Sequence, residues 1–175
     1  MIPSGYHRSA VSTVWRILAG LEAGVWGGVW MLVWVSLSTL WERGSFWSFP
    51  NLLASTFFGS RAITGRMGWM TLSGISLHLF VAGVLGTVFG LLALKLTKPR
   101  RVFLAGILFG LGWNYLASGV LWKKVNPLVP LYAPDGAILF GHLLFGVWLG
   151  RLPRFLAAVE NHLKPAGSPS EIETK

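Results

Sequence analysis

Two histidines within apolar stretches are the residues of this sequence best suited to chemistry. His78 and His142 each begin the same pattern, H-L-x-x-(small)-x-x-L-G. An ionisable side chain is costly inside a membrane and is therefore a functional candidate by default. The pattern predicts one of three roles for the pair. In the first role they are structural and hydrogen-bond to a hydroxyl, a carbonyl or Asn114. In the second they bind a haem iron or a chlorin magnesium. In the third they belong to a proton relay.

Glu22 is the second candidate, because it is the one formal charge within the first apolar run. Helical geometry puts it across the helix from Gly20 and Gly24, on the edge that carries Trp26 and Trp30. A carboxylate there can take up a proton, pair with a base on a neighbouring helix, or extend towards lipid headgroups. It predicts, as an alternative function, a small transporter or proton conductor.

Other kinds of chemistry find no support in the sequence. The absence of cysteine excludes disulfides, thiolate metal sites and cysteine nucleophiles. The motifs G-x-x-x-x-G-K-[ST], H-E-x-x-H and G-x-S-x-G are absent. Asp135 lies in a connecting segment without a plausible nucleophile beside it. We therefore expect a protein that is not an enzyme and has no metal site of this kind.

The composition indicates a membrane environment for these residues. Of the 175 residues, 53% are hydrophobic and 12% are charged, whereas soluble domains have about a quarter charged. The net charge of +9 comes from basic residues that stand between apolar runs, such as Lys123 and Lys124. Flanking charge of this kind sets topology and contacts anionic lipid. The expected partner is the lipid bilayer, and nucleic acid is not expected.

Four apolar runs approach the roughly 20 residues that a helix needs to cross a bilayer. They predict an all-α integral membrane protein, a four-helix transmembrane bundle forming a single domain over residues 1–164. The basic residues flanking the spans favour both termini in the cytoplasm, and a polar tail over 165–175 is expected to be disordered there. The predicted spans are residues 17–41, 71–96, 102–122 and 136–152.

The connection between the first two spans holds an aromatic segment, Phe46 to Leu53, and a short helix is predicted over Leu52 to Phe58, ended by Gly59. Two alternatives are open. Either this short helix lies on the outer membrane surface with its aromatic side chains in the interface, or the segment is a loop whose aromatic side chains pack on the bundle.

The spans also contain an internal repeat. The first and third open with L-A-G-(L/I)-x-x-G, at Leu18 and Leu104, and the second and fourth contain the histidine pattern. This order predicts two duplicated helical hairpins in parallel orientation, the alternative being chance similarity among common membrane residues.

Small residues at four-residue spacing predict close helix packing, since lipid gives no hydrophobic drive for helices to associate. Asn114 continues one such row and is predicted to bridge helices through hydrogen bonds. A sharper alternative is a groove for a flat cofactor or a partner helix. The glycines concerned are Gly20, Gly24, Gly28, Gly86, Gly90, Gly106, Gly110, Gly146 and Gly150.

The order of these features resembles small four-span bacterial inner-membrane proteins of no established activity. The resemblance rests on the glycine-rich first span, Phe46-Trp47 before Pro50, and the string from His142 to Gly150, and it covers Leu18 to Leu152. It implies a four-helix bundle and no established activity. The small part of the chain outside the spans, the glycine faces and the aromatic surface predict a non-catalytic accessory subunit that packs against larger membrane subunits. We expect it in a respiratory or photosynthetic complex of a bacterial inner or photosynthetic membrane.

Overall fold

A computed structural model describes residues 4–42, 44–96 and 98–163, and no strand occurs among them. Short 3-10 turns extend the second and third helices, and a π-helical turn, Ala117–Leu121, joins the fourth to the fifth. The predicted tail, 165–175, lies outside the described residues. The α-helices are α1 (Ser4–Trp41), α2 (Ser48–Phe58), α3 (Trp69–Leu92), α4 (Pro99–Leu116), α5 (Trp122–Val125), α6 (Leu128–Tyr132), α7 (Asp135–Gly150) and α8 (Leu152–Leu163).

Three helical runs are long and apolar enough to cross a membrane: Thr13–Trp41, Trp69–Lys95 and Pro99–Val125. The fourth predicted span differs from these. At 1.5 Å per residue, the 16 residues of α7 extend about 24 Å, which is less than a hydrocarbon core of about 30 Å. Together with Leu152–Ala158 of α8 it reaches sufficient length, with a bend of 42° between the two pieces. The described residues therefore contain three or four candidate spans.

The break between α7 and α8 has a cause in the sequence. Pro153 has no N–H to donate to the carbonyl of Leu149, and its ring would collide with that carbonyl in a continuous helix. The Arg151 N–H instead bonds the carbonyl of Trp148 at 3.0 Å, which tightens the last turn of α7. The sequence predicted an end at this point, and the structure adds a new helix beyond it.

Two antiparallel helix pairs form the bundle, and α1 and α7 join them at its centre. A side chain on Gly24 of α1 would meet the carbonyl of Ala82 on α3, and one on Gly106 of α4 would lie 2.6 Å from the carbonyl of Gly146 on α7. The two pairs meet where Gly27 approaches Phe145 and where Met31 lies against Gly141. Because each contact is antiparallel, α1 and α4 run in the same direction, as a parallel repeat requires.

The two pairs have the same glycine faces but not the same register. The sequence pattern equates Gly110 with Gly24 and Gly146 with Ala82. Gly24 faces Ala82 and Gly86, whereas Gly110 faces His142 and Gly146, which is one helical turn earlier in the pattern. When residues are matched by the sequence repeat, the contacts of the α4–α7 pair are therefore shifted by four residues relative to those of the α1–α3 pair. Similar small residues on both helices make either register sterically acceptable.

The aromatic connection packs into the bundle. It forms an α-helix that is followed by Gly59, as predicted, but that begins at Ser48 instead of Leu52. The φ of 59° at Gly59 suits glycine. Seven consecutive residues of α2, from Phe49 to Ser55, are buried. Gly74 of α3 lets α2 approach closely, because a side chain there would meet the carbonyl of Pro50. The segment is thus a helix, as the first alternative predicts, and it packs on the bundle, as the second predicts.

Candidate functional site

His78 and His142, singled out by their shared pattern, line the same internal cavity. It lies between the two helix pairs and has a volume of about 90 Å³. We call it the histidine cavity. The remaining wall is mostly apolar and aromatic, and it includes Phe49, Trp113 and Trp122. The structure thus brings together two histidines that are 64 positions apart in the sequence.

Each histidine is oriented by one hydrogen bond to a backbone carbonyl. The Nε2–H of His78 donates to the carbonyl of Gly28 on α1 at 3.0 Å. The Nδ1–H of His142 donates to the carbonyl of Ile138, one turn earlier on α7, at 2.9 Å. Because a carbonyl oxygen only accepts, these bonds fix the neutral tautomers. His78 then has an unprotonated Nδ1, and His142 an unprotonated Nε2.

Both histidines therefore have the arrangement usual for metal-binding histidines, with one ring N–H on a carbonyl and the other nitrogen available. They differ in which nitrogen is available, Nδ1 in His78 and Nε2 in His142. About 90 Å³ is well below the 300 Å³ or more of typical cofactor pockets. The cavity has room for about three water molecules at roughly 30 Å³ each.

Asn114, the predicted bridge between helices, has no hydrogen bond to its buried side-chain oxygen within the described residues. It follows Gly110 on the face of α4 that packs on α7. The histidines bond to backbone carbonyls instead of to Asn114.

Two other amides, which the sequence reasoning missed, hold the connections in place. Asn126 donates to the hydroxyl of Ser55 at 2.8 Å and to the carbonyl of Leu52 at 3.3 Å. Asn51 accepts from the Thr71 hydroxyl at 2.6 Å and donates to the carbonyl of Arg66 at 2.9 Å. The sequence signal that could have identified them is an asparagine within or next to an apolar segment. A polar side chain that is buried there requires hydrogen-bond partners.

Glu22 faces away from the histidine cavity. It lies on the outside of α1, is exposed, and forms no hydrogen bond or ion pair with any residue that the structure describes. The structure therefore separates the predicted proton-active carboxylate from the two histidines, which lie inside the bundle.

Glu22 lies at one end of a row of tryptophans on the outside of the bundle. We call this surface the tryptophan face, and it consists of Glu22, Trp26, Trp30 and Trp34 of α1 with Trp148 of α7. Trp148 stacks between Trp26 and Trp30, with ring centroids 6.2 and 6.3 Å apart. The Trp34 indole N–H donates to the carbonyl of Ala137 at 3.1 Å. The guanidinium of Arg151 lies 4.7 Å from the centre of the Trp148 ring. The face therefore runs along the outer seam between α1 and α7.

Comparison of the chain with protein families, with curated proteins and with solved structures finds no match.

Proposed function

We propose that this protein is a non-catalytic integral membrane subunit that binds a larger membrane protein through the tryptophan face. The observation that carries the proposal is the unpaired, outward-facing Glu22 at the end of a row of exposed tryptophans. A respiratory or photosynthetic complex in a bacterial inner membrane is the setting we propose for such a subunit.

The position of the tryptophans supports a protein partner over simple anchoring. Tryptophans that anchor a helix collect at the two membrane–water interfaces. Trp26 and Trp30 stand near the middle of the candidate span Thr13–Trp41 and are 46% and 48% exposed. Stacked indole rings present a large and rigid surface, and tryptophan is enriched among the residues that dominate binding energy.

The charge of Glu22 indicates the chemistry of the partner. A carboxylate facing hydrocarbon is destabilising unless it is protonated, paired or able to reach the interface. A transmembrane helix carrying lysine, arginine or histidine at this depth would pair with it, and its apolar residues would cover Trp26 and Trp30. The proposed partner is therefore a helix with one basic residue within its span.

The test is gentle purification of a tagged protein from its native membrane, followed by native electrophoresis and identification of the subunits that migrate with it. We expect a defined complex that Glu22→Gln and Trp30→Ala each reduce about tenfold or more, as for residues at the centre of an interface. Phe80→Ala is the matched aromatic control, because Phe80 is 70% exposed on α3, away from the tryptophan face. Glu42→Gln is the matched charge control at the exposed end of α1.

Both control variants should retain the complex. A wild-type protein that migrates alone, or only with copies of itself, would contradict the proposal. Equal losses for Trp30→Ala and Phe80→Ala would contradict the assignment to this face.

A further inference from the structure

Three arginines from two separate parts of the chain meet at one end of the bundle. Arg100 belongs to the first turn of α4, Arg151 to the junction between α7 and α8, and Arg154 to the first turn of α8. All three line a cleft of about 570 Å³, whose apolar wall includes Phe103 and Leu104. We call it the arginine cleft. The cleft is therefore positively charged, although the guanidinium of Arg151 also lies against the Trp148 ring.

The fold brings these arginines together through two local features. Gly150 lets α7 approach α4, because a side chain there would lie 2.9 Å from the Cα of Phe103. The bend of 42° after α7 then starts a new helix, whose first turn places Arg154 on the same cleft. Without the bend, α8 would continue along the axis of α7.

Among the side chains that the structure describes, none that lines the cleft carries a negative charge. Arg100 and Arg154 are exposed, and neither forms an ion pair with a residue that the structure describes. Since guanidinium groups bind phosphate through paired hydrogen bonds, the cleft matches an anion with phosphate oxygens.

The location of the cleft indicates a phosphate that belongs to a lipid. The candidate span Pro99–Val125 begins at the cleft, and α7 ends there, which is where headgroups of a surrounding bilayer would lie. The apolar wall continues along the outside of α4 from Leu104, 60% exposed, to Leu108, 69% exposed. Residues four apart lie on one helix face, so an acyl chain can follow them from the cleft.

We propose that the arginine cleft is a binding site for an anionic phospholipid. Arg100 and Arg154 hold the headgroup phosphate, Arg151 adds positive charge beside it, and one acyl chain lies along Leu104 and Leu108. Basic pockets between membrane helices are known to bind anionic lipid headgroups. Arg151 contacts Trp148 of the tryptophan face, but Arg100 and Arg154, which hold the phosphate, do not belong to that face, so the proposal does not depend on the proposed function.

The test measures lipid binding to the full-length, delipidated protein in detergent by native mass spectrometry. Phosphatidylglycerol is the probe, and phosphatidylcholine with the same acyl chains and inorganic phosphate are the comparison ligands. We expect Arg100→Gln with Arg154→Gln to weaken phosphatidylglycerol binding at least about tenfold. Lys123→Gln with Lys124→Gln removes the same charge from other exposed positions and should change binding less than about twofold.

Each remaining outcome has one meaning. Equal weakening by the two double variants, or equal binding of phosphatidylcholine, would overturn the proposal. Tight binding of inorganic phosphate that depends on Arg100 and Arg154 would show a site for free anions instead. If the glutamine double variant does not fold, Arg154→Gln alone is measured. It should weaken phosphatidylglycerol binding about threefold or more, and no change would overturn the proposal.

Discussion

At the scale of single residues, the two histidines show how hydrogen bonds to different backbone carbonyls leave a different ring nitrogen free on similar side chains. The sequence pattern makes His78 and His142 look equivalent. His78 bonds across to α1 through Nε2, whereas His142 bonds within its own helix through Nδ1. Each ring therefore keeps one free nitrogen, Nδ1 of His78 and Nε2 of His142, and the bond of His78 also holds α3 against α1.

The volume of the histidine cavity leads to a prediction about cofactors. Because about 90 Å³ is too small for a porphyrin ring, we expect the purified protein to show no Soret absorption. The measurement is a visible spectrum of protein purified gently from its native membrane. A Soret band that disappears in His142→Ala would contradict the expectation and support haem binding.

At the scale of helices, glycine faces determine how closely the bundle packs. We expect Gly110→Ala to lower stability in detergent, because the new Cβ would meet the carbonyl of His142 and lie 3.0 Å from the Cα of Gly146. Such overpacking costs roughly 1–3 kcal/mol. Gly112→Ala is the matched control on the same helix, since nothing lies within 4 Å of its new Cβ.

The comparison is made by thermal unfolding. Gly112→Ala should be neutral or raise the transition temperature, because alanine favours helix over glycine by up to about 1 kcal/mol. Equal stability of the two variants would contradict the close approach of α4 and α7 at Gly110.

Two asparagines give a second prediction at this scale. Asn126→Ala removes the hydrogen bonds that attach α2 to the segment after α5, so we expect a loss of roughly 1–3 kcal/mol and faster amide exchange in α2. Asn114→Ala removes a side chain whose oxygen is buried without a partner, so we expect little loss or a gain in stability. A larger cost at Asn114 than at Asn126 would instead support its predicted role as a bridge between helices.

At the scale of the whole molecule, the open question is whether the bent pair of α7 and α8 crosses the membrane. The chain contains no cysteine, so single introduced cysteines report the side of the membrane on which they lie. We expect Ser60→Cys and Lys124→Cys to react with an impermeant reagent from outside intact cells. Lys98→Cys and Ala157→Cys should react only after the membrane is opened.

That result would establish four crossings, with Lys98 and Ala157 on the cytoplasmic side as the distribution of basic residues predicts. Labelling of Ala157→Cys from outside would show that the last pair does not cross. Labelling of Lys98→Cys from outside, with Ser60→Cys protected, would reverse the predicted orientation.

The sequence by itself determined the helices and their small-residue faces. Uninterrupted apolar length and glycine spacing are local properties of the chain, so α1, α3 and α4 and the end of α7 near Arg151 were predictable. The hydrogen bonds of Asn51 and Asn126 were not, since their partners lie far along the chain or in segments without a regular pattern.

Only the tertiary structure decided which faces meet. It placed His78 and His142 on one cavity, turned Glu22 outward, packed α2 into the bundle, and gathered Arg100, Arg151 and Arg154 around one cleft. Helical periodicity specifies which residues share a face, but several registers between glycine-rich faces are sterically similar. The one-turn offset between the two helix pairs shows that packing throughout the bundle makes that choice.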